Sequence, residues 1–182
     1  MENPLYELPK GCDFNAVGNN SSLKSECSPK LNDQFPKSNF QGILINSALE
    51  IVWPKNSSPA DMEVMPNGNV EGPLKFMIAG LINIPYGTLN LQGNFSYEVL
   101  IVAVDQQTAK AFSGKLIRFG FAGARPDVFG SDESQNSIDT LTYFNVDLIQ
   151  NLEIPVVNAT YTVYATLGEF KSNVLTVKTK VE

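Results

Sequence analysis

The chain has 182 residues, 43% apolar and 18% charged, with a net charge of −6 and no histidine. That length and apolar content suit one folded domain with a sizeable core rather than a disordered segment. The missing histidine excludes Ser-His-Asp and Cys-His catalysis, imidazole metal sites and histidine pH switching. The acidic balance opposes contact with a phosphate backbone, so no nucleic-acid partner is expected.

Residues 1–40 read as an irregular N-terminal arm, because Pro4, Pro9, Pro29, Pro36 and the Asn-Ser clusters favour turns and extended chain. Phe14, Leu23, Leu31, Phe35 and Phe40 favour packing of this arm on the domain that follows. The start, MENPLYELPKGC, lacks the basic and apolar parts of a secretory signal. The arm holds both cysteines, Cys12 and Cys27. Their spacing suits a local disulfide worth about 3 kcal/mol in the chain-entropy view; two reduced thiols are the alternative in a reducing compartment. Two thiolates without histidine leave a zinc tetrahedron half empty. The pair tips the localisation towards extracellular or cell-surface rather than cytoplasmic. Asn19, Asn56, Asn94 and Asn158 stand in N-x-S/T and would accept glycans there, although asparagine is frequent enough for chance matches.

The domain proper is expected over residues 41–182. Gly42 to Trp53 is β-branched and apolar and reads as a strand ended by Pro54. Asp61 to Met65 reads as a short edge strand before the Pro66-Asn67-Gly68 turn. Val70 to Ile84 places Leu74, Phe76 and Ile78 on one parity, the pattern of a half-buried strand. Phe95 to Val104 and Ala111 to Phe121 form a hairpin turning at Asp105 to Lys110. After the polar loop Gly123 to Ser137, alternation resumes over Ile138 to Ile149. Leu141 to Leu152 is the best helical candidate, but its aromatic and β-branched content favours strand. Thr160 to Leu167 and Asn173 to Val181 form a last hairpin. Many short strands without a sustained helical stripe predict an all-β, antiparallel sandwich. No stretch approaches the ~18–20 apolar residues of a membrane helix, so no membrane span is expected.

Asn158-Ala159-Thr160-Tyr161-Thr162-Val163 resembles the tyrosine corner of immunoglobulin-like domains, in which a Tyr hydroxyl reaches back to upstream backbone. Asn158 stands where the acid does and Tyr161 is the corner tyrosine. The following YATLGEFKSNVLTV resembles the F–G hairpin of such domains. The resemblance covers the C-terminal segment and implies an immunoglobulin-like or fibronectin-type β-sandwich. It implies no activity, since many functions sit on this architecture. The core lacks the usual cysteine pair, and Trp53 lies in an early strand.

Site candidates are sparse. Tyr86 in the PYG turn is a candidate sugar or protein contact, with Tyr97, Tyr143 and Trp53 as further aromatic platforms. Arg125 beside Asp127 suits recognition or a surface ion pair. Asp132-x-Ser134-x-Asn136 is a weak calcium-loop pattern, because Ser137 replaces the turn glycine and Tyr143 the closing acid. No cofactor and no catalytic residue is expected. The leading expectation is a non-enzymatic interaction or structural module, binding a protein partner or a second copy through strand edges and loops. A carbohydrate-binding sandwich, with or without calcium, is the alternative, and an enzyme using carboxylates alone comes third.

Overall fold

The computed structural model describes residues 5–15, 26–32, 40–56, 63–64, 70–71, 74–85, 98–116 and 139–182. The fold is all-β, and among the described residues one short helix interrupts the strands. In the arm, β1 (Tyr6–Glu7) pairs with β2 (Lys30–Leu31). The domain begins with β3 (Gly42–Asn46) and β4 (Glu50–Trp53), followed by the small pair β5 (Glu63–Val64) and β6 (Val70–Glu71). The longer strands are β7 (Met77–Pro85), β8 (Leu100–Asp105), β9 (Ala111–Lys115) and β10 (Asp139–Asp147). Then come α1 (Leu148–Leu152), β11 (Ala159–Leu167), β12 (Phe170–Lys171) and β13 (Leu175–Val181).

Two sheets carry the domain. A three-stranded sheet runs β10-β7-β3, and a six-stranded sheet runs β4-β13-β11-β8-β9 with β12 beside β11. Pairing is antiparallel except where β4 lies parallel to β13. One apolar cluster takes Ile43, Ile45, Ile78, Ile82 and Phe144 from the smaller sheet and Trp53, Ile101, Tyr161, Val163 and Val177 from the larger. Phe144 sits opposite Gly80 in the register, and a Cβ at Gly80 would overlap its ring. Gly80 is therefore the seat of a buried aromatic.

The boundaries differ from the sequence expectation in several places. Val70 to Ile84 is not one strand but holds two, β6 paired with β5 and β7 in the three-stranded sheet. Gly42 to Trp53 is not one strand but two, in different sheets. Short polar side chains take over backbone bonding at the break: Asn46 Oδ1 accepts from Ser47 N (3.0 Å), and Ser47 Oγ donates to Met77 O (2.8 Å). The segment ending at Ile149 is strand only to Asp147. The Asp147 carboxylate accepts from Ile149 N (3.0 Å) and Phe76 N (3.1 Å), capping α1 and tying it to the start of β7. Glu153 closes the helix in the left-handed region at φ 54°.

The arm lies against the side of the three-stranded sheet that faces away from the main cluster. Cys12, Phe14 and Cys27 pack on Met77 and Ala79. Asn46 Nδ2 donates to Pro9 O (3.0 Å) and Cys27 O (2.9 Å), and Asn83 Nδ2 donates to Phe40 O. Cys12 and Cys27 stand at disulfide distance, with Cα atoms 5.4 Å apart, and no free cysteine is present. The free edge of β3 is closed by one side chain: Asn173 Oδ1 accepts from Ile45 N (2.8 Å) and Asn173 Nδ2 donates to Ile45 O (2.9 Å). An amide side chain here takes the place of a neighbouring strand.

Candidate interaction surfaces

The six-stranded sheet keeps strict alternation. β11 buries Ala159, Tyr161, Val163, Ala165 and Leu167, and β13 buries Leu175, Val177 and Thr179, with the intervening side chains on the other face. On that outward face, β8 presents Leu100, Val102 and Val104, all half-buried. Register places Thr166, Tyr164 and Thr162 on one flank of these residues and Lys115, Ser113 and Ala111 on the other. The result is an aliphatic stripe in a hydroxyl-rich frame.

Lysines border the frame. Lys171 Nζ lies 4.2 Å from the Tyr164 ring centroid, a cation–π geometry. Lys115 pairs with Glu98, and Lys180 Nζ pairs with Glu50 Oε1 at 2.6 Å. The hydrogen bond from Lys180, aided by its charge, lowers the Glu50 pKa, and the same contact raises that of Lys180. With Lys178 also exposed, this face carries more cations than anions, although the chain as a whole is acidic.

At the turn between β8 and β9, Asp105 accepts from Thr108 Oγ1 (2.7 Å) and Gln107 N (2.9 Å), and these bonds lower its pKa. Asp147 behaves oppositely. Burial raises its pKa, against the lowering effect of the Phe76 and Ile149 amides. Asp105 thus caps the β8–β9 turn and Asp147 caps α1.

Most sequence-derived site candidates, namely Tyr86, Arg125, Asp127, Asp132, Ser134 and Asn136, lie outside the described residues, as does Tyr97. Trp53 is buried and donates Nε1 to Lys75 O (3.1 Å), so it is no sugar platform. Tyr161 is buried between the Phe76 and Phe112 rings, with centroids 5.9 and 6.3 Å away. Its hydroxyl finds no hydrogen-bond partner among the described residues, so the corner bond implied by the resemblance is not made there. Burial, then the charge of Asp105, raises its pKa. Asn158 Oδ1 instead accepts from Val181 N (2.7 Å), tying the start of β11 to the end of β13. Among the described residues, no group of three or more acids and cysteines is placed to hold a metal, and no helix is long and apolar enough to cross a membrane.

The outward stripe was visible in the sequence only as half of the run VLIVAV, whose two parities look alike. The signal that separates them is the neighbouring strand, where Tyr161 and Val163 alternate with Thr162 and Tyr164. No protein-family model matches the chain, and no curated protein matches it.

Proposed function

We propose that this protein is a non-enzymatic, immunoglobulin-like β-sandwich module that binds another protein through the outward face of its six-stranded sheet. The observation that carries the reading is the outward, half-buried stripe Leu100, Val102 and Val104 with Tyr164, framed by Lys115, Lys171 and Lys178. Half-exposed aliphatics flanked by an aromatic and long cations match the anatomy of a binding patch: an apolar centre and a polar rim. The excess of lysine favours a partner surface with acidic residues.

Support for the sandwich assignment comes from strand order. Read as A, B and E, the strands β3, β7 and β10 form one layer. Read as C, F and G, the strands β8, β11 and β13 form the other, and β9 extends that layer beyond β8. One apolar cluster joins the two layers. The parallel β4–β13 pair follows from the first strand dividing between layers.

Substitution of Val102 by Lys tests the reading, since the position is outward and only half-buried. Light scattering across a concentration series reads self-association, and affinity capture from the native source reads other partners. The wild type is expected to form a complex in one of the two, and Val102→Lys to lose it while keeping its melting temperature. Identical behaviour of the two proteins in both measurements removes this face as the binding surface.

A further inference from the structure

A second surface, separate from the stripe, lies at the edge of the same sheet. Among the described residues β4 has a strand on one side only, β13. The bonds between them fix which backbone groups are used: Lys178 N donates to Leu49 O (2.9 Å), Glu182 N to Trp53 O (2.9 Å) and Lys55 N to Glu182 O (2.6 Å). Odd-numbered residues therefore turn towards β13. By the two-residue period of a strand, Glu50 and Val52 direct their N–H and C=O groups the other way.

A groove of about 170 Å³ follows this edge. It touches all four residues of β4, Glu50–Trp53. Side chains of a strand alternate between faces, so a groove touching four in a row runs along the backbone rather than over one face. Its opposite wall is again consecutive, residues 12–15, with Lys75 and Met77 between. That wall is held in place by the Cys12–Cys27 pair and by Lys75 Nζ, which donates to Asn15 O (3.1 Å). Two consecutive stretches of chain flanking an unpaired strand edge make a slot of the shape an extended peptide takes.

We propose that this slot binds an extended peptide segment as an added strand on β4, and that the segment carries a basic and a β-branched residue two positions apart, on one face. Main-chain groups of Glu50 and Val52 supply the ladder, and the side chains beside them supply the selection. Glu50 Oε1 takes Lys180, which leaves the second carboxylate oxygen for a cation on the incoming strand. Val52, 51% exposed, favours a β-branched residue across from it. Asp13 in the facing wall adds a second negative charge, while Lys75 is engaged by Asn15. The inference deepens the binding-module reading by adding a second site with its own ligand chemistry.

The probe is the acetylated, amidated heptapeptide TVTKTVT, which sets Val two positions from Lys in either strand direction, against TVTETVT and the proline-interrupted TPPKPPT. Amide hydrogen exchange at Glu50 and Val52 is followed by NMR, alongside emission from Trp53, the only tryptophan. In the free protein both amides are expected to exchange fast. TVTKTVT is expected to protect them, TVTETVT to bind about tenfold more weakly, and TPPKPPT to give no protection. Glu50→Lys, an exposed change, is expected to reverse the charge preference. Fast exchange unchanged by TVTKTVT, equal binding of all three peptides, an unreversed preference, or slow exchange in the free protein overturns the proposal. Val102→Lys is expected to leave peptide binding intact and Glu50→Lys to leave the stripe intact, so failure of one site is distinguishable from failure of the other.

Discussion

The three-stranded and six-stranded sheets share a core but differ in what lies on their backs. Behind β7, Met77 and Ala79 are as buried as Ile78 and Ile82, because Cys12, Phe14 and Cys27 of the arm lie over them. Behind β11 and β13, Thr162, Tyr164, Thr176 and Lys178 meet solvent to varying degrees. The difference shows in the residues themselves: MIAGLIN is apolar on both parities, whereas TYTVYATL and LTVKTKV alternate. A strand written without alternation needs a second cover, and here Cys12, Phe14 and Cys27 provide part of it.

The sharpest way to break this comparison is to place the same side chain behind each sheet. Ala79→Glu sets a carboxylate between β7 and the disulfide-bearing arm, without a partner in view. A loss of about 3 kcal/mol or more is expected in urea unfolding. Thr176→Glu, outward on β13, is expected to change stability by no more than about 0.5 kcal/mol. Equal costs would mean that the arm does not cover β7 in solution.

Removing the clamp on the cover comes next. The Cys12→Ser, Cys27→Ser double variant frees a closed loop with a sequence separation of 15 residues, and a loss of about 3 kcal/mol is expected. Amide exchange should then accelerate on β7 before β11; uniform acceleration would show that the arm is not a separate layer.

A third test concerns the junction where β10 enters α1. The buried Asp147 has a raised pKa, chiefly from desolvation. A raised carboxyl pKa means that the folded state holds the proton more tightly than the unfolded one. Its contribution is therefore fully present below the unfolded value and is lost as pH rises through the folded value. Asp147→Asn should thus compare more favourably with wild type at pH 7 than at pH 3. The acceptor oxygen for Phe76 N and Ile149 N is kept by this change. A difference in unfolding free energy that is flat between the two pH values, or moves the other way, removes the desolvation argument. The smallest expected effect is a gain of about 0.5 kcal/mol from Glu153→Gly, because glycine adopts the left-handed conformation at that helix end without a Cβ penalty.

The strand content and the burial of Tyr161 and Phe144 were legible from residues alone, since turn residues and period-two patterning are local signals. The cysteine pairing was open until the arm was seen folded back on itself. Other features were hidden because they depend on distant partners. Nothing within GILINSALEIVW says that its two halves belong to different sheets; that follows from Ser47 meeting Met77 and from β4 meeting β13. The helical turn after β10 was masked by its apolar residues, although Asp147 is an ordinary cap in retrospect. The β4 slot was not legible at all, because one wall comes from residues 12–15 and the other from residues 50–53.

Because twelve successive residues, Gly42 to Trp53, contribute first to one layer and then to the other, neither layer can peel away by itself. Detaching β3 from β7 drags on the chain that anchors β4 to β13, and the Asn173 amide grips the same stretch from the opposite sheet. The two layers are therefore expected to melt together in one cooperative step.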